Sequence, residues 1–157
     1  MELTTMTEIT DIYNFLPLTD DLLTSGQPTE EQFTVIAKAG VKAVINLALA
    51  TSSNAIPNEP EITRKLGMQH YHIPVLWDAP SEKALTEFMD TMDKLAGEKV
   101  LIHCAANMRV PAFVALYRIL RLGWSEERAF KEVYPIWNPY DEPGWSNFIT
   151  KILKTKK

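Results

Sequence analysis

Cysteine is nearly absent from this chain of 157 residues: Cys104 is the only one. One cysteine closes no internal disulfide and cannot by itself hold a thiolate zinc site, so it serves packing or reactivity. No stretch approaches the roughly 18 consecutive apolar residues of a membrane span. A basic stripe able to neutralise a nucleic-acid backbone is also missing. The formal net charge is -4, and the dense basic run Lys151 to Lys157 reads as a solvated helix end. Repeats and low-complexity segments are lacking, and Met1 to Asp11 shows no basic segment followed by an apolar one. A cytoplasmic protein is therefore expected, with neither nucleic acid nor membrane as partner. With 46% apolar and 23% charged residues the composition is that of an ordinary globular protein, and the length fits a single domain over residues 1–157. Oligomeric state is not legible in these features.

Apolar runs alternate with helical patterns, which points to an α/β fold: three layers, with a mostly parallel sheet of four to five strands covered by helices on both faces. The expected strands are Asp21 to Thr24, Val41 to Leu47, Gln69 to Val75 and Lys99 to Cys104. Thr29 and Gln32 form a capping box for a helix to Ala39, which Gly40 stops. A second helix, Glu59 to Leu66, follows the polar loop Thr51 to Asn58, which is expected to flank a site. Ser81 caps a third helix, which ends before Gly97 and carries Leu85, Phe88, Met89, Met92 and Leu95 at core spacing. Pro111 to Leu122 is apolar on nearly every side and so should be buried. Two more helices are expected, at Ser125 to Val133 and Gly144 to Leu153, joined by the turn-rich stretch Tyr134 to Pro143.

The chemistry concentrates in Val100-Leu101-Ile102-His103-Cys104-Ala105-Ala106-Asn107-Met108-Arg109. Cys104 stands at the carboxyl end of a buried strand, where ligands of open parallel sheets bind. The amides of Ala105, Ala106, Asn107, Met108 and Arg109 precede or open a helix and form an anion-binding nest. Such a field favours a thiolate nucleophile. Arg109 adds a planar fork that holds two phosphate oxygens, and Asn107 tolerates the positive φ that a nest needs. His103 is expected to orient the loop. Asp78, in Leu76-Trp77-Asp78-Ala79-Pro80 at the same sheet edge, is the candidate acid for the leaving oxygen, with Trp77 as a loop anchor. His70 and His72 share one face of a strand, a spacing found in metal sites, but no carboxylate lies at a recognisable ligand spacing. No metal and no cofactor are expected.

Strand, His-Cys, short loop, Arg and buried helix resemble the phosphate loop of cysteine-based tyrosine and dual-specificity phosphatases, and Trp77-Asp78-Ala79-Pro80 looks like their mobile acid loop. Ser25-Gly26-Gln27-Pro28-Thr29, Val44-Ile45-Asn46-Leu47, Tyr71-His72-Ile73-Pro74-Val75 and the Cys104 loop together are similar to the bacterial phosphatase-like family that includes the domain fused to beta-lactamase-hydrolase-like proteins. The resemblance implies a three-layer phosphatase fold with Cys104 as nucleophile, Arg109 as phosphate ligand and Asp78 as acid. It also implies a phosphorylated small molecule or phosphoprotein as substrate. Two features depart from the better-known phosphatases. Four residues, where those enzymes have five, separate Cys104 from Arg109, and Val110 replaces the hydroxyl residue that usually follows the arginine. The shorter loop is similar to that of rhodanese-like sulfurtransferases, which carry sulfur as a persulfide. Phosphate monoester hydrolysis leads, with sulfur transfer and non-catalytic phosphate binding as alternatives.

Overall fold

The computed structural model describes residues 8–155, so most of the segment read for a leader and the last two lysines of the basic tail lie outside it. Five strands form one sheet: β1 (Leu16–Pro17), β2 (Leu22–Ser25), β3 (Ala43–Asn46), β4 (Gln69–His72) and β5 (Val100–His103). Their order is β1-β2-β5-β3-β4, parallel throughout except for β1. The chain moves outward from β2 through β3 to β4 and then returns to insert β5 between β2 and β3. Cys104 therefore leaves the middle of the sheet at the point where the winding reverses, the place where open α/β sheets form a crevice.

Right-handed crossovers put helices of outward and returning connections on opposite faces. Accordingly α1 (Glu30–Lys38) and α2 (Glu59–Lys65) cover one face, where Phe33 and Ile36 pack with Leu23, Val44 and Leu101. On the other lie α3 (Glu82–Lys94), α4 (Arg109–Leu122), α5 (Glu126–Phe130) and α6 (Pro143–Lys154), packed on Ala43, Ile45, Val100 and Ile102. The alternation of side chains along β5 sends His103 to the α1/α2 face, and Cys104 belongs to the core under α4.

Local chemistry accounts for most element ends. Thr29 and Gln32 make the reciprocal capping bonds of α1, Ser81 caps α3, and Gly40, Gly67, Gly97 and Gly123 follow helices at positive φ. Helix α4 is buried from Arg109 through Ile119, in keeping with its apolar circumference.

Other boundaries differ from the sequence expectation. β1 was not anticipated, since two residues carry no periodic signal. β4 stops at His72 and not Val75 because Pro74 interrupts regular pairing, although the Ile73 and Val75 amides still donate to Asn46 and Leu47. α5 stops at Phe130 and not Val133, and the chain continues in turns. α4 begins two residues before Pro111, whose missing N–H costs nothing in a first turn.

Candidate active site

The loop from Cys104 to Arg109 turns its carbonyls into the protein. Ala105 O accepts from the Gln27 amide (3.1 Å) and from Asn54 Nδ2 (3.2 Å), Ala106 O from Asn14 Nδ2 (3.0 Å), and Met108 O from Trp137 Nε1 (2.8 Å). The amides of Ala105 through Arg109 donate to no acceptor among the described residues, and no side chain caps α4. A run of unpaired donors at a helix N-terminus is suited to an anion, since the helix dipole and the N–H groups act together. Asn107 makes the reversal possible. Its φ is +59°, and its Nδ2 donates to Asn14 O (2.9 Å) and Thr24 Oγ1 (3.0 Å), which ties the loop to the sheet edge.

Cys104 is 1% exposed at the base of this loop. Arg109 is buried, and its Nη1 donates to Val75 O (2.7 Å), joining the Cys104 loop to the segment that leads to Asp78. Val110 is fully buried in the same apolar cluster as Cys104.

Behind the loop lies a polar network that sequence reading missed. Glu59, in the first turn of α2, is 1% exposed and accepts from three sides. His103 Nε2 lies 2.7 Å and His70 Nε2 2.8 Å from Oε2, and Gln27 Nε2 donates to Oε1 at 2.9 Å. Burial alone would raise the Glu59 pKa. The charge of His103 and the bonds from His103, His70 and Gln27 outweigh it and hold the carboxyl far below the usual carboxylate range. His103 Nδ1 also faces Cys104 O at 3.3 Å, so the network reaches the peptide of Cys104. In sequence Glu59 is indistinguishable from any acid favoured by a helix N-terminus.

These contacts also account for Ser25-Gly26-Gln27-Pro28-Thr29. A Cβ on Gly26 would lie 2.9 Å from Ala105 O and 2.6 Å from the Tyr13 ring, so only glycine fits between the two loops. Gln27 then bonds the Ala105 carbonyl and Glu59, and Thr29 caps α1.

Asp78 is exposed on a loop held from both sides. Trp77 packs on Trp137 and Trp145, with ring centroids 5.0 and 5.9 Å apart, so it anchors the loop. Gly144 approaches so closely that a Cβ there would lie 2.6 Å from Asp78 O. Trp137, which touches both Trp77 and Met108 O, links the Asp78 loop to the Cys104 loop. Its place in the turn-rich stretch gave no signal of that. His70 and His72 do share a face, and each has a protein partner: His70 bonds Glu59, and His72 Nε2 lies 2.7 Å from Ala48 O. Among the described residues no three His, Cys, Asp or Glu side chains gather as a metal site, and no helix is long and apolar enough to cross a membrane.

The fold and the cysteine loop define a protein of the cysteine-based phosphatase class. The chain belongs to the family described as polymorphic toxin system, DSP-PTPase phosphatase, whose model matches residues 21–122. It is similar to a DUF442 protein of Shewanella putrefaciens CN-32 described as a "putative phosphatase", at 33% identity and a TM-score of 0.83, covering 94% of this chain and 96% of that one. The beta-lactamase hydrolase-like protein of Xylella fastidiosa is 26% identical over 109 residues, 66% of this chain and 24% of the relative. The matched stretch is thus about a quarter of the length of that curated relative. The catalytic core of the PP-IP phosphatase SIW14 from S. cerevisiae, solved with citrate, shares the fold at 20% identity and a TM-score of 0.70, covering 88% of this chain and 85% of that one.

Proposed function

We propose that the protein hydrolyses phosphate monoesters through a phosphocysteine intermediate on Cys104, without a metal. The observation that carries this reading is the set of unpaired amides from Ala105 through Arg109 around a buried thiol, their carbonyls taken up by the surrounding protein. The amides and Arg109 hold the phosphate oxygens and match the charge that develops on them. Cys104 sulfur attacks phosphorus as the ester P–O bond breaks, and Asp78 gives its proton to the leaving oxygen. Asp78, now a carboxylate, takes a proton from water as that water attacks phosphorus. The S–P bond breaks, and phosphate and the thiolate are released.

Hydrolysis of 4-nitrophenyl phosphate by the wild type and by Cys104→Ser tests it. Serine should abolish turnover while vanadate and inorganic phosphate still bind, because the amides and Arg109 remain. Residual activity near that of the wild type would reject Cys104 as the nucleophile. Val110 favours a second reading, a phosphate-binding module without turnover, since the position beside the loop that carries a hydroxyl in related enzymes is apolar. Phosphate binding by the wild type with no cleavage of any ester would establish that reading instead.

A further inference from the structure

Each amide of the Cys104 loop shares a peptide group with the carbonyl of the residue before it. A donor on that carbonyl polarises the peptide and makes its N–H a stronger donor in turn. Behind the amides of Ala106, Asn107 and Arg109 these donors are neutral: the Gln27 amide and Asn54 on Ala105 O, Asn14 on Ala106 O, and Trp137 on Met108 O. The amide of Ala105 differs. Its peptide carbonyl, Cys104 O, faces His103 Nδ1 at 3.3 Å, and His103 Nε2 lies 2.7 Å from Glu59 Oε2. Glu59 meets only donors, since Gln27 Nε2 bonds its Oε1 and His70 Nε2 shares its Oε2. Both ring nitrogens of His103 therefore face oxygens that accept, and both bonds form only when the ring carries two protons. His103 is fully buried. On the elements packed against it, α1 presents Phe33, with ring centroids 6.1 Å apart, and its register partners are Ser25 on β2 and Asn46 on β3, all uncharged. From β4 comes His70, which reaches it through the shared Glu59 oxygen. The pair with Glu59 is neutral as a whole, but its positive member is the one turned to the loop.

We infer that Glu59 is a positioning residue for the anion: it holds His103 as an imidazolium behind the Cys104–Ala105 peptide, and this fixed charge strengthens anion binding at the loop without touching the ligand. The inference rests on the phosphate-site reading above and extends that site to a residue of α2.

Sulfate binding to full-length Cys104→Ser isolates the effect, because no thiolate titrates and sulfate stays fully ionised. Nitrogen NMR of this protein should show protons on both ring nitrogens of His103 at about pH 8, where a free histidine is neutral. A neutral ring there would overturn the inference, and this measurement needs no change at Glu59. Adding Glu59→Gln removes the counter-charge, so sulfate affinity at about pH 8 should fall about tenfold. Most of the loss should return at about pH 5.5, with the NMR signals showing His103 taking up a proton over the same interval. Trp137→Phe, added instead, keeps a ring against Trp77 and removes a neutral donor from Met108 O. It should weaken sulfate about two- to threefold, by the same factor at both pH values. A loss from Glu59→Gln that is also the same at both would make Glu59 structural only, overturning the inference and leaving the phosphate site standing. Failure of both sulfate and phosphate to bind Cys104→Ser would overturn both.

Discussion

The two ends of α4 are opposites. At the C-terminal end the arginine side chains have protein partners. Gly123 closes the helix at φ +76°, and the Arg118 guanidinium lies 4.2 Å from the Trp124 ring and pairs with Glu132. Arg128 stacks on Trp124 at 3.7 Å, and Arg121 bonds Asp90 (3.0 Å) and Asp93. At the N-terminal end no acid sits in the first turn, no side chain caps the helix, and the loop amides are unpaired. One helix thus has an end whose charged side chains are paired within the protein and an end whose loop amides are not. Unsatisfied donors persist in a folded protein where a bound group completes them, which is why we propose that phosphate binds at this end.

The largest effect that would sharpen this contrast lies at Asp78. Asp78→Asn should slow esters with poor leaving groups about 10²- to 10⁴-fold and aryl esters far less, because only the former need the proton. Steady-state rates across a leaving-group series measure it. An equal loss on all esters would assign Asp78 a structural role in a loop already fixed by Trp77 and Gly144.

Next comes Glu59, which supports the open end from behind. Glu59→Gln replaces a carboxylate that accepts three bonds with an amide whose NH₂ must face a histidine, and it removes the buried partner of His103. Breaking a buried ion pair from one side costs about 3–5 kcal/mol, so a loss of that order is expected in denaturant unfolding. The pH dependence has a definite sign. The folded-state pKa of Glu59 lies below its ordinary value of 4.5, so its contribution is fully present above that value and is lost as pH falls toward the folded value. Wild type and variant should converge in stability on acidification below about 4.5. A difference independent of pH would show that the carboxylate's charge is not what holds the network.

Val110→Ser acts at the boundary between the open end and the core. Valine cannot donate a hydrogen bond to the sulfur as the intermediate hydrolyses, so the wild type should give a burst of up to one equivalent and then a slow steady state. Serine should raise the steady rate several-fold with little change in the burst. Because Val110 is fully buried, the substitution should also cost about 1–3 kcal/mol in stability. Rapid mixing and thermal unfolding of both proteins separate the effects. A linear wild-type time course, with no gain from serine, would mean that the first step is limiting.

Which parts were legible in the sequence follows from the range of the chemistry that fixes them. The Thr29–Gln32 box, the glycine stops and the positive φ at Asn107 are settled within a few residues, so they could be read directly. So could the order of strand, cysteine, loop and helix, because these are contiguous. Glu59 meets His103 across 44 positions and Trp137 meets Met108 across 29, and only the winding of the sheet brings either pair together. β1 was hidden for the same reason: its two residues pair because the chain folds back onto β2, and nothing in Leu16–Pro17 shows it.

The smallest expected effect lies at the completed end and tests the contrast most directly. Arg121 bonds Asp90 and Asp93 on α3, but its side chain is 31% exposed and those of its partners 66% and 48%. Solvent screens pairs of this kind, and the ordering of three side chains offsets much of the attraction. Exposed pairs are typically worth about 0.2–1 kcal/mol. Arg121→Ala should therefore lower stability by at most about 1 kcal/mol, and by less at high salt, where the pair is already screened. Hydrolysis should stay at the wild-type rate, since three turns of buried helix separate Arg121 from the loop and Arg109 binds Val75 O independently of it. Denaturant unfolding at low and high salt, with steady-state kinetics on an aryl phosphate, measures both quantities. A loss of activity without a matching loss of stability would mean that the two ends of α4 are coupled, and the division between a completed end and a ligand-binding end would fail.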